Sequence, residues 1–170
     1  MKFNDIRRIQ QPIYTINMCW SFLKEWIEEH KYLNLNLDPD YQRDYVWTQK
    51  QKEQYIEWIL REGQSGKIIY WNCPGWMRDF RGPMEIVDGK QRLNAVLEFL
   101  DNKVKAYGCY FDEYEVGLPM HAEFIFSIGN FKSRKEILQW YVDMNTGGTA
   151  HTENEITKVM SLIDDCKKEG

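Results

Sequence analysis

The stretch Glu85-Ile86-Val87-Asp88-Gly89-Lys90-Gln91-Arg92-Leu93-Asn94-Ala95-Val96-Leu97-Glu98-Phe99-Leu100 decides the fold. Ile86 and Val87 make a short apolar strand that runs into an Asp-Gly turn. Leu93, Val96, Leu97 and Leu100 then recur at steps of three and four, the spacing of one buried helix face. The polar pair Gln91 and Arg92 opens that helix. The first turn of a helix leaves backbone N–H groups without partners, and here they point where Arg92 points. A helix N-terminus beside a guanidinium is an anion site, and phosphate is the commonest biological anion. Gly89 lets the backbone approach closely, and Asp88 at the strand end could hold a metal ion or a water. The same residues also fit a surface strand-to-helix turn with Asp88 as its cap.

A second segment repeats the pattern. Residues 39–47 read Pro-Asp-Tyr-Gln-Arg-Asp-Tyr-Val-Trp and place Gln42-Arg43 after an extended stretch. Upstream, Leu33, Leu35 and Leu37 alternate with polar residues, which predicts a strand with one buried face, ended by Pro39. Downstream, Thr48 and Gln51 form a capping box for a helix carrying Tyr55, Ile56, Ile59 and Leu60, closed by Gly63. Two arginines presented from strand ends can converge on one polyanion. Tyr45 and Trp47 beside Arg43 could stack on a base or plug the core. Trp47, directly before the N-cap, favours packing, and Tyr45 is left open.

The rest of the chain alternates in the same way. Asn17 is expected to cap a first helix bearing Cys19, Phe22, Leu23, Trp26 and Ile27 on one face. Strands are expected at Lys67–Trp71, Val104–Phe111 and Ala122–Ile128. Ser133 and Glu136 cap a helix ending near Asn145, and Thr152 with Glu155 caps a last one. The sum is a single α/β (α+β) domain over residues 1–170, a small mixed, curved sheet flanked by about five helices.

Composition narrows the functional classes. Aromatic residues make up 15% of the chain, with 7 Trp and 10 Tyr, which excludes a disordered adaptor. No apolar run approaches the roughly 20 residues of a membrane span, and the start lacks a signal-peptide core. Cys19, Cys73, Cys109 and Cys166 are scattered without metal-ligand spacing, which argues against zinc and fits a reducing cytoplasm. With 22 basic and 26 acidic residues the chain lacks the basic excess of a nonspecific duplex binder. DNA would have to engage a local patch, such as Arg7-Arg8, Arg78 with Arg81, or Lys132-Arg134-Lys135.

Taken together, Pro39, Tyr41-Gln42-Arg43, Tyr45-Val46-Trp47, Asp88-Gly89-Lys90-Gln91-Arg92-Leu93 and Asn145-Thr146-Gly147-Gly148 resemble the GmrSD N-terminal domain family of the ParB/sulfiredoxin-like superfamily. The resemblance runs from about Ile13 to Ile163. The family's central box is usually Asp-Gly-Gln-Gln-Arg, so Lys90 is a departure that adds positive charge. The resemblance implies a nucleotide-binding fold whose Asp-Gly-x-Gln-Arg turn cradles the phosphates of a nucleoside triphosphate: ATP, GTP or CTP. Mapped onto this chain, Gly89, Lys90 and the following amides would face the phosphates and Arg92 would neutralise them. Asp88 would position magnesium or an attacking water, Gln91 would orient that water or fix the loop, and Arg43 with Gln42 would be a second arm. Asn145, Gly147 and Gly148 would close over the nucleotide, although an ordinary helix C-cap reads the same way. His151 is a weaker general-base candidate.

Larger family members that act as restriction enzymes carry a further nuclease domain, so cleavage here is expected to need a partner subunit. Three functions follow: a nucleoside-triphosphate hydrolase linked to DNA modification, restriction or phage–host conflict; a phosphotransferase on the same fold; and a non-catalytic nucleotide- or DNA-binding module or inhibitor of a defence complex. A cytoplasmic setting, in a bacterial or phage-infected cell, suits all three.

Overall fold

Ile86 and Val87 are neighbours on one strand, and the pleat sends them to opposite faces of a sheet that is covered on both. The computed structural model describes residues 13–78, 80, 82–146 and 153–168. Strands β1 (Tyr14–Cys19), β2 (Ile68–Asn72), β3 (Glu85–Asp88) and β4 (Glu123–Gly129) form one mixed sheet in the order β1-β4-β2-β3. β4 pairs antiparallel with β1 and parallel with β2, and β2 pairs antiparallel with β3.

Among the described residues five α-helices flank the sheet: α1 (Leu23–Glu29), α2 (Gln49–Leu60), α3 (Lys90–Leu100), α4 (Arg134–Thr146) and α5 (Glu153–Lys168). On one face Ile86, Ile69, Trp71, Phe124 and Phe126 pack with Leu23 and Trp26 of α1, Ile56 and Ile59 of α2, and Leu93 and Val96 of α3. On the other, Val87 and Tyr70 pack with Ile137, Leu138 and Trp140 of α4 and Val159 and Ile163 of α5. The mixed α/β architecture expected from the sequence is therefore present. Of the three capping boxes expected, those at Thr48–Gln51 and Ser133–Glu136 are present, and the one at Thr152 lies outside the described residues.

Three local expectations need correcting. Asn17 does not cap a helix: it lies in β1 opposite Ile125, because Tyr14, Ile16 and Met18 alternate toward the core with strand rather than helix period. Residues 33–38 do not form a strand. Lys31–Leu33 is a 3-10 turn, Asn34 takes a left-handed φ of 52°, and only Asn36 bridges to Glu85. Leu33, Leu35 and Leu37 still pack on the core, so side-chain alternation survived without a paired backbone. The segment from Val104 reverses at Tyr107-Gly108, both with positive φ, and only Ala106 and Cys109 bridge. Two left-handed central residues make a type I′ reversal, a conformation that a tyrosine does not announce. At the end of α2 Glu62 takes a left-handed φ of 65°, and the Gly63 N–H closes the helix on the Trp58 carbonyl at 2.9 Å, as the sequence suggested.

Candidate functional site: a polar cleft between two Gln-Arg segments

β3 is an edge strand, and an edge presents unpaired backbone groups that must be covered. The segment 36–47 covers it. Asn36 exchanges backbone hydrogen bonds with Met84 and Ile86 at 2.7 and 3.0 Å. The Gln42 side chain donates to the carbonyl of Ile86 at 2.6 Å, and the buried Tyr41 hydroxyl donates to Glu85 at 3.1 Å. Burial is the main cause pushing the Glu85 carboxyl above its usual range, with the Tyr41 hydrogen bond opposing it.

The helix that follows β3 fastens the same segment. Gln91 donates to the carbonyl of Asp44 at 2.8 Å, while its oxygen accepts from the N–H groups of Val46 and Trp47 at 3.0 and 3.2 Å. Lys90 is buried, with its side chain 3% exposed. Its ammonium pairs with Asp38, donates to the carbonyl of Arg43 at 2.9 Å and sits 4.5 Å from the Tyr45 ring centroid. Three acceptors match the three N–H bonds of an ammonium, which makes burial of this charge tolerable. Arg134 reaches from α4 to Asp40 at 2.7 Å and holds that carboxyl below its usual range. Lys90, Gln91, Gln42 and Arg134 thus staple the Arg43 segment from three directions.

Arg92 is less free than its sequence position suggests. Its guanidinium donates to Asp88 at 2.7 Å and to the carbonyls of Gly66 and Ile68 at 3.2 and 2.8 Å. It ties α3 to the entry of β2 as much as it faces the cleft. Gly89 has φ +102°, and a Cβ there would meet Ile69 Cδ1 at 2.4 Å. The close approach is therefore real, and it is made by a core side chain. Gly89 offers no side-chain cap, and the helix's first hydrogen bond runs from Leu93 N–H to the Gly89 carbonyl at 2.9 Å. The N–H groups of Lys90, Gln91 and Arg92 precede that first bond and have no acceptor within the helix.

Gln42, Arg43, Trp47, Asp88, Gly89, Lys90, Gln91, Arg92 and Tyr141 line one polar cleft of about 110 Å³. The two Gln-Arg segments, 49 positions apart in the sequence, thus meet in space. Trp47, which the sequence assigned to packing, and Tyr141 of α4 also line the wall. Trp47 does pack, edge-on to Tyr55 with centroids 5.4 Å apart, and Tyr141 stacks edge-on to Tyr41 at 5.2 Å. Tyr45 lies beside the cleft, not in its wall, with the Lys90 ammonium against its ring. Burial, then Asp38 and Glu98, raise its phenol above the ordinary range. Asn145 also is no part of the wall: its amide donates to the Tyr141 carbonyl one turn back at 2.6 Å. Gly147, Gly148 and His151 lie outside the described residues, as do Arg7, Arg8, Arg81 and Thr152.

The family model described as "GmrSD restriction endonuclease, N-terminal domain" matches residues 23–136 of this 170-residue chain. The chain belongs to this family. The matched stretch contains both Gln-Arg segments and every cleft residue except Tyr141. Membership gives the GmrSD-type domain a restriction-system context, with DNA or a nuclease as the class of partner that context suggests. No curated protein and no solved structure matches the chain. Among the described residues, no helix is long and apolar enough to cross a membrane.

Proposed function

We propose that this GmrSD-type domain binds the phosphate chain of a nucleoside triphosphate at the N-terminus of α3, as the nucleotide-responsive unit of a restriction system. One observation carries the reading: the uncapped first turn of α3 opens into a cleft that the second Gln-Arg segment completes with Arg43. Backbone amides and a guanidinium around one small space suit phosphate oxygens. A volume near 110 Å³ is well below the roughly 300–1,000 Å³ of sites that enclose a whole small molecule. The phosphates would enter, while sugar and base lie outside against Trp47.

Asp88 is the carboxylate of the cleft, and the described residues contain no group of three His, Cys, Asp or Glu able to hold a metal. That donor set suits magnesium arriving on the triphosphate, with Asp88 as a single protein ligand, because magnesium commonly keeps phosphates and waters in its shell. The ion would screen charge between the phosphates. The chain's own residues bind and orient: Arg43 and the α3 amides hold oxygens, and Gln91 and Lys90 hold Arg43's segment in place.

A second reading, binding without turnover, is favoured by one specific observation. Gln91 spends both ends of its amide on the 44–47 backbone, and Asp88 is engaged by Arg92. Hydrolysis or phosphoryl transfer would need one of these groups released toward a water or acceptor. Calorimetric titration with ATP, GTP, CTP and inorganic triphosphate, each with magnesium, tests the first reading, and phosphate release in the same samples separates the second. Arg43→Ala should weaken triphosphate binding about tenfold or more, the loss of one charge-assisted contact. Absence of affinity for all four probes would remove the proposal.

A further inference from the structure

At the other end of α3, roughly 14 Å along the helix axis from the cleft, lies a larger and different cavity. It measures about 390 Å³ and is walled by Leu60, Phe99, Tyr107, Phe111, Tyr114 and Leu118. Phe99 forms its aromatic floor, with Phe111 and Tyr114 edge-on at centroid distances of 5.6 and 6.1 Å. The apolar surface continues at the mouth, where Val116 is 83% exposed. The size suits one or two large side chains, and aromatic walls with an exposed apolar rim are how interaction sites present themselves.

Tyr107 supplies an independent indication. It occupies the first central position of the type I′ reversal at φ 49°, where glycine, asparagine or aspartate is favoured. Two bonds from α2 keep it there: its N–H donates to Glu57 Oε1 at 2.8 Å and its hydroxyl to the Glu57 carbonyl at 3.3 Å. A bulky residue, 55% exposed on a cavity wall, is thus held in a conformation against its local preference.

Charge selects the occupant. The segment Tyr110-Phe111-Asp112-Glu113-Tyr114-Glu115-Val116 carries three acids and no base. Glu113 is turned back onto the N–H of Tyr110 at 2.6 Å, whereas Asp112 and Glu115 form no ion pair among the described residues. Lys105, the nearest base in sequence, stands over the Tyr110 ring at 4.6 Å. We propose that this cavity is a docking site for a basic segment of a partner protein that anchors one large apolar side chain among these rings. Lysines or arginines flanking the anchor would meet Asp112 and Glu115, and the anchor would displace water from the aromatic walls. The site is distinct from the phosphate cleft and does not depend on it.

Fluorescence polarisation and NMR line positions with the full chain test this, using labelled acetyl-Lys-Lys-Trp-Lys-Lys-amide as probe. The expected result is saturable binding that perturbs the Tyr107, Phe111 and Tyr114 resonances, at least about tenfold weaker when the probe's Trp is Ala. An all-glutamate version of the probe should not bind. Tyr107→Asn creates the preferred Asn-Gly pair, so the fold should be as stable or more so, yet probe affinity should fall. Glu115→Lys should weaken the basic probe, and triphosphate affinity should be unchanged in both variants. Equal binding of the Ala and Trp probes, no perturbation of the cavity resonances, or indole alone binding as tightly as the peptide would each overturn the proposal. The last would make the cavity a small-molecule site.

Discussion

The guanidinium of Arg92 donates to the Asp88 carboxylate at 2.7 Å, across a single turn from strand end to helix start. The two ionisable ends of the Asp-Gly-Lys-Gln-Arg turn therefore hold each other, and the same guanidinium also reaches the carbonyls of Gly66 and Ile68. The charged residues of the turn therefore carry structural duties.

Arg92→Ala should therefore cost stability as well as phosphate affinity. Losing charge-assisted bonds to two carbonyls and one carboxylate should lower unfolding free energy by about 1.5–3 kcal/mol. Arg92→Lys should recover only part, because an ammonium cannot span all three acceptors in one plane. Urea denaturation of both variants checks this. An alanine variant as stable as the parent would show that the bonds are fully exchangeable with water.

Lys90→Met should loosen the 38–47 segment without disturbing the sheet. The ammonium's partners are Asp38, the Arg43 carbonyl and the Tyr45 ring, so its loss should cost about 1–2 kcal/mol, moderated because Asp38 is largely exposed. Amide exchange should accelerate at Arg43–Val46 and remain slow in β2 and β4. A double-mutant cycle with Asp38→Asn isolates the pair, and a coupling of zero would assign the effect to packing alone.

Gly89→Ala meets two obstacles, a φ of +102° and a 2.4 Å approach to Ile69 Cδ1. Together they should destabilise the domain by about 2–4 kcal/mol. Adding Ile69→Ala removes the steric obstacle and leaves the dihedral one. If the double variant is no better than the sum of the two single ones, the clash is not the cause.

Glu85 sets a pH dependence whose sign follows from its raised pKa. In the folded chain it holds its proton to higher pH than in the unfolded chain, so the folded state binds more protons within that window. Stability should then fall as pH rises from the ordinary glutamate value of about 4.3 through the raised folded value. Glu85→Gln keeps an oxygen for the Tyr41 hydroxyl and removes the titration. Its stability profile should be flatter across that window and at least equal to the parent at neutral pH. Identical slopes for parent and variant, measured by denaturation midpoints, would assign the dependence elsewhere.

Basic patches illustrate how far linear reading can mislead. Lys132-Arg134-Lys135 looks like an anion surface, but Arg134 is paired with Asp40, a residue 94 positions away. Which charges neutralise one another depends on contacts between elements, and no local pattern encodes them.

The sequence by itself determined the elements whose signals are local. The helix face Leu93–Leu100, the two capping boxes, strands β2 and β4, and the mixed α/β class follow from periodicity and from side chains that bond within three or four residues. The two Gln-Arg motifs were also legible as residues. What only the tertiary structure decided is non-local. Asn17 lies in a strand because β4 is there to pair with it, and residues 33–38 stay unpaired apart from one bridge on the β3 edge. The duties of Lys90, Gln91 and Arg92 depend on acceptors 24 to 52 positions away. The aromatic cavity arises where a type I′ reversal, which no Asn-Gly announces, folds Tyr107 back beside α2. Periodicity records which side of an element is apolar, whereas the partner of each polar atom is fixed only when distant segments pack and bury it.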